Sequence, residues 1–181
     1  MKKILILALS VFLSLTIFVG NKAKAAIKNK PGDIIVTNST IASGITGHAG
    51  IYIDATNILH TSGRANEPYP LVISETKWHE RYSKSKVIRP KSSTLGATAA
   101  QKAKTYFRGK KIPYKITNNP KDIKYIYCSE LVWYSYYKAG KTIKTRNSQG
   151  FFEPKALVVP YNFIDSATVD YNNFKFIDNK W

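Results

Sequence analysis

Five short β-branched segments come before either of the long helical patterns, and that order narrows the fold more than any other feature of the chain. Ile34-Ile35-Val36 follows the turn Pro31-Gly32-Asp33. His48 to Ile53, Ile58 to Thr61, Leu71 to Ile73 and Lys86 to Arg89 read as further strands, bounded by Gly, Pro, Asn and Asp. Ser74 is placed to cap a short helix, Glu75 to Tyr82. The long helices are Thr94 to Arg108, stopped by Gly109, and a stretch that begins near Cys128 and stops at Gly140. Strands in a run, followed by helices, predict an α+β domain with an antiparallel sheet rather than a doubly wound parallel one. Beyond Gly140 the chain reads as largely irregular, with short strands at Val158-Val159-Pro160 and Phe174 to Ile177.

The first 25 residues carry a basic start, Met1-Lys2-Lys3, an apolar run from Ile4 to Val19, and the small-x-small pattern Ala23-Lys24-Ala25. This is the make-up of a secretory signal peptide cleaved after Ala25, which leaves residues 26–181 as one domain. No second apolar run of that length follows, so no membrane span is expected after cleavage. The formal charge of +17 suits anionic polymers or lipid headgroups of a cell envelope. Export and the lack of a nucleic-acid motif argue against nucleic acid as a partner. The expected location is therefore extracellular, at the cell wall.

Cys128 is the only cysteine, so an exported chain carries a free thiol. Leu131, Val132, Ser135 and Tyr136 follow it at helical spacing, and the loop-like Asn118 to Asp122 precedes it. The thiol should therefore stand at the first turn of a helix. Unpaired amides and the helix dipole there favour an anion and are expected to lower the thiol pKa. A small buried core residue fits the same pattern.

Three histidines are available as partners. His79, in Trp78-His79-Glu80-Arg81, lacks the second histidine a zinc-protease helix needs, because Ser83 stands there. It reads as a surface residue. One cysteine and no histidine pair at helical spacing predict no metal site. His48 and His60 lie on the two arms of one predicted hairpin. With an odd loop, such as Asp54-Ala55-Thr56, Gly50 opposes His60, and His48 becomes its same-face diagonal neighbour. A loop of two or four residues would put the histidines on opposite faces.

Gly47-His48-Ala49-Gly50-Ile51-Tyr52-Ile53, with Ile58-Leu59-His60, resembles the histidine hairpin of the NlpC-type papain-like cysteine hydrolases. Tyr127-Cys128-Ser129-Glu130-Leu131-Val132 is similar to that superfamily's nucleophile helix, with Tyr127 and Glu130 in place of the usual Asp and Gly. Ile112-Pro113-Tyr114 is similar to its Pro-Tyr segment. Here the hairpin precedes the cysteine, as in the circularly permuted YiiX/YebB-like branch, whose opening Pro-Gly-Asp segment this chain also resembles. The resemblance covers about Pro31 to Gly140. It implies a papain-like fold, with the antiparallel sheet packed against the nucleophile-bearing helix. It also implies Cys128 as nucleophile, His48 as base, His60 as its orienter and Tyr114 as a substrate-lining residue.

The resulting expectation is a secreted cysteine hydrolase that needs no cofactor and cleaves amide bonds in cell-wall peptides through a thioacyl intermediate. Two alternatives stand beside it. One is an acyl-lipid hydrolase or acyltransferase of the same fold. The other is a non-catalytic envelope-binding module. The catalytic readings share a geometric demand: the first turn of the Cys128 helix should meet the hairpin face that carries His48.

Overall fold

The computed structural model describes residues 28–40 and 47–181, so the signal peptide expected over residues 1–25 lies outside the described residues. In chain order the strands and helices are β1 (Ile34–Thr37), β2 (His48–Tyr52), β3 (Asn57–His60), β4 (Leu71–Ser74), α1 (Glu75–Arg81), β5 (Ser85–Pro90), α2 (Ser93–Phe107), α3 (Cys128–Lys138), β6 (Thr145–Arg146), β7 (Phe152–Glu153), a 3-10 turn (Pro160–Ile164), α4 (Ser166–Tyr171) and β8 (Phe174–Asp178). Six strands form one sheet in the order β4-β3-β2-β1-β5-β8, and every neighbouring pair is antiparallel. The expected α+β architecture is what the chain adopts.

Alternation along the strands sorts side chains onto two faces. Ile34, Val36, Ala49, Ile51 and Leu59 join Ala99, Ala103 and Phe107 of α2 and Leu131, Val132 and Tyr136 of α3 in the larger core. Ile35, Tyr52, Ile58, Ile73 and Val87 face the other way, onto Trp78 and Tyr82 at α1. The helix that begins at Cys128 therefore packs against the sheet, as expected, on the larger-core face.

Local chemistry fixes the ends of these elements. The Ser74 hydroxyl accepts from the Lys77 amide at 3.1 Å and caps α1. Ser92 caps α2 in the same way through the Leu95 amide. Helix α3 stops before Gly140, which takes φ +87 and closes the helix end. At the end of the sheet remote from the site, Arg89 donates to both carboxylate oxygens of buried Asp33, at 2.7 and 2.6 Å, and the Tyr136 hydroxyl donates to the Gly32 carbonyl.

The tail departs from expectation. Val158-Val159-Pro160 is not a strand; Pro160 opens the 3-10 turn instead. Proline donates no amide, so it suits a first turn better than a ladder. Helix α4 is too short for a periodic signal and is started by Asp165, whose carboxylate accepts from the Thr168 amide. The expected terminal strand is real and pairs with β5 at the sheet edge.

Candidate active site

The hairpin of β2 and β3 turns through Asp54-Ala55-Thr56. Ile51 opposes Leu59 and Tyr52 opposes Ile58, and the Ile53 amide donates to the Asn57 carbonyl at 2.9 Å. That odd loop puts Gly50 opposite His60 and brings both histidines to one face. Their rings meet, with His48 Nε2 and His60 Nδ1 2.9 Å apart. Gly50 is needed here. A Cβ on it would fall 2.6 Å from Ile58 Cγ2 and 3.1 Å from the Trp78 ring, so only a bare backbone lets Trp78 lie beneath the pair.

Trp78 stacks on His48 with ring centres 5.4 Å apart and an 18° interplanar angle, and meets His60 edge-on. Tyr82 packs against both rings, 5.2 Å from His48 and 4.8 Å from Trp78. Trp78 is itself pinned by its indole N–H, which donates to the Ser85 hydroxyl at 2.9 Å. These aromatic walls fix the His48 ring plane. Sequence reasoning took the helix from Glu75 for its cap and its histidine. It missed that Trp78 and Tyr82, four apart, share the face that clamps the catalytic candidates; the i, i+4 aromatic spacing was the available signal. His79 lies outside the cluster, half-exposed beside Glu75.

Cys128 is the first residue of α3 and is buried. It does not meet the histidine-bearing face. Helix α3 covers the opposite face of β2, and the sulfur lies instead by the Ala49 amide at the start of that strand. Because His48 opens β2 at the sheet's rim, side chains from both faces border one cavity of about 840 Å³. His48, Cys128, Tyr114, Tyr82 and Arg64 line it. The expected approach of helix to histidine face is thus replaced by a meeting at the strand end.

Tyr114 lines the same cavity as Cys128. Burial, and then the Cys128 sulfur across the cavity, push the Tyr114 hydroxyl pKa up. A bridge between Tyr114 and Ile126 ties the segment to the chain just before α3. Gly63, at φ +68, makes room for the Tyr114 ring, since a Cβ there would sit 2.9 Å from it. A second clasp holds the far wall. The Val158 amide donates to the Tyr127 hydroxyl at 3.0 Å, and the Ser129 hydroxyl donates to the Val158 carbonyl at 2.8 Å.

Electrostatics correct one expectation. Burial pushes the Cys128 thiol up, and this outweighs the Ala49, Ser129 and Cys128 amides and the Ser129 hydroxyl, which favour the thiolate. His48 is held well below its ordinary value by burial, then by His60 and by Arg64. His60 is pushed down to about 3 by burial, then by Arg81 and Arg64. The resting site therefore holds a neutral thiol and two neutral imidazoles, not a thiolate–imidazolium pair. Arg81 is itself paired with Glu67 at 2.8 Å. Glu130, three residues into α3, accepts from the Tyr127 amide at 3.4 Å and is pushed up to about 8 by burial.

Among the described residues, no group of three or more His, Cys, Asp or Glu side chains is arranged to hold a metal ion. The two histidines spend the nitrogens that face each other on their mutual hydrogen bond.

Comparison with known proteins follows the same lines. The crystal structure of metalloprotein yiiX from Escherichia coli O157:H7 superposes with a TM-score of 0.56 at 19% identity, covering 85% of this chain and 99% of that one. The match bears out the expected fold, the circularly permuted papain-like arrangement. An uncharacterized 30.3 kDa protein of Bacillus thuringiensis is 31% identical over 155 residues, 78% of this chain and 54% of that protein. The chain thus spans about half the length of that relative. The family model described as lipoprotein N-acylation protein LnsA-like matches residues 2–175. With nearly its whole length matched, the chain belongs to the LnsA-like family.

Proposed function

We propose that the protein is an exported cysteine acyl hydrolase or acyltransferase of the NlpC-type papain-like superfamily, and that it takes an acyl group from a lipid onto Cys128. One observation carries the reading: Cys128 and His48, backed by its hydrogen bond to buried His60, border a single cavity whose outer wall includes Ile116, Leu157 and Val159. Family membership supports acyl-group chemistry, since the family is described by lipoprotein N-acylation. Together the family and the apolar wall favour an acyl lipid over the cell-wall peptide, and the complete Cys-His-His set favours an enzyme over a binding module.

The chemistry follows from neutral groups. His48 Nε2 is committed to His60, which leaves Nδ1 as the ring nitrogen for the thiol proton. His48 can act as base there only if its Nε2–H donates to His60 Nδ1, so His60 carries its own proton on Nε2. The Cys128 sulfur attacks the ester carbonyl as its proton passes to His48. The oxyanion takes hydrogen bonds from backbone amides at the start of α3. Collapse breaks the ester C–O bond, and His48 returns the proton to the leaving alcohol. The thioacyl enzyme then yields its acyl group to water or to an amine, with the sulfur recovering a proton. Tyr114, across the cavity from the sulfur, lines the acyl-binding wall.

Intact-mass measurement after incubation with a phospholipid tests this. A single acyl increment on Cys128, removed by neutral hydroxylamine and absent in Cys128→Ser, is expected. Unmodified wild-type protein that instead releases amino groups from purified cell wall would return the site to the peptide reading.

A further inference from the structure

The outer wall of the cavity is unusual for a water-facing surface. Ile116, Leu157 and Val159 are 61%, 45% and 39% exposed, and all three line the opening that leads to Cys128. Their exposure is built in. Val158 is 1% exposed and is held by Tyr127 and Ser129. With the Val158 backbone fastened, its side chain faces inward while Leu157 and Val159 on either side face out. Ile116 likewise follows the fastened pair Tyr114 and Lys115, whose amide donates to the Ile126 carbonyl at 3.3 Å. Three large apolar side chains held outward at one cavity mouth mark an interaction surface rather than a scatter of surface residues.

Charge decides the partner. Lys115 adjoins Ile116, and both Lys115 and Lys124 lie over the Tyr125 ring, at 5.0 and 5.9 Å. The whole chain carries +17. An apolar rim beside lysines on a basic protein matches an anionic lipid bilayer, in which the apolar groups enter the acyl boundary and the lysines meet the headgroups.

We infer that the mouth formed by Ile116, Leu157 and Val159 docks onto an anionic lipid bilayer, so that an acyl chain passes from membrane to Cys128 without crossing water. This deepens the acyl-lipid reading above and rests on it. The rim replaces the water that would otherwise separate donor lipid from sulfur, and the lysines set which leaflet composition is bound.

The apolar run Ile4 to Val19 can hold lipid by itself, so bulk vesicle binding does not test the rim. Position-resolved labels do. In the full chain with Cys128→Ser, which removes the only native cysteine, an environment-sensitive fluorophore is attached at Ile116→Cys or, separately, at Leu157→Cys. The control label is at Ala97→Cys, exposed on α2 beside Gly96, which packs on Gly32 at the far end of the sheet. With phosphatidylglycerol vesicles, both rim labels should shift to the blue and be quenched by nitroxide-bearing lipids, while the Ala97 label stays unchanged. Phosphatidylcholine vesicles should need about tenfold more lipid for the same response. Equal quenching at rim and control, or no quenching at both rim labels, overturns the docking surface; equal response to the two lipids overturns its anionic preference. Because the labelled protein is inactive, this outcome is independent of thioacyl formation. Docking without an acyl adduct in the wild type would sink the catalytic reading alone.

Discussion

The two faces of the central sheet are built to different standards. On one, α2 and α3 cover the strands with a thick apolar layer that includes Phe107, Trp133 and Tyr136. On the other, the seven-residue α1 is the helix laid against the strands, and the layer it makes includes His48 and His60 packed on Trp78, with Tyr82 beside His48. The first face delivers the sulfur and the second delivers the imidazoles. They meet only at the rim, where β2 begins. The thick face can thus supply most of the hydrophobic stabilisation while the thin one is spent on orienting two polar rings, a division that a single mixed core could not make without burying more unpaired polar groups.

That division can be broken at its most dependent point first. His48→Ala should lower acyl-enzyme formation by about 10³-fold or more, the usual worth of a positioned base, while the chain still folds, because the larger core is untouched. Near-normal rates in this variant would mean that the two faces do not cooperate. His60→Gln keeps an acceptor for His48 Nε2 and should be milder, with a loss of roughly tenfold to a hundredfold.

The faces should also titrate in opposite directions. His60 falls from about 6.5 to about 3 on folding, so the unfolded chain binds the extra proton between those values. Stability that is full above pH 6.5 is then lost as pH falls toward 3. Denaturant melts should show the wild type losing on the order of 2 kcal/mol more than His60→Gln between pH 7 and pH 4.5. Glu130, on the α3 side, moves the other way, from 4.5 up to about 8. Here the folded chain holds the extra proton, so stability is full below 4.5 and declines as pH rises to about 8. Glu130→Gln should remove that decline, seen as a flatter slope in denaturant melts compared at pH 5 and pH 8.5. Parallel pH slopes in the two variants would show that the faces share one electrostatic environment.

Much of the site was legible because it depends on counting. Register follows from loop length, so the sequence narrowed His48 and His60 to two arrangements, paired by an odd loop or separated by an even one, and Cys128 at a helix start follows from spacing. What escaped depends on where elements stack. The alternation of β2 says that His48 and Ala49 face opposite ways, but not which face α3 covers. The sign of the thiol shift was unreadable for the same reason: the helix-start amides are local, whereas the burial that overrides them comes from β2 and the segments around Tyr114 and Val158. Arg64, Glu67 and Arg81 sit in loop and helix without a motif, and only packing reveals that both arginines act on the histidines. The outward Leu157 and Val159 flank an inward Val158 because of two hydrogen bonds that no periodicity encodes.

The turn at Asp54-Ala55-Thr56 has a consequence for how such a gene can vary. The Asp54 carboxylate accepts from the Thr56 and Asn57 amides, at 2.9 and 2.8 Å, so the turn is fastened at its present length. Adding or deleting one codon there would rotate everything after it by half a period and send His60 to the α3 side, while Leu59 turned toward Trp78. Two codons would restore the phase. Descendants of this sequence are therefore free to lengthen the hairpin only in even steps, and a single-codon indel at its tip would separate the two histidines without touching either.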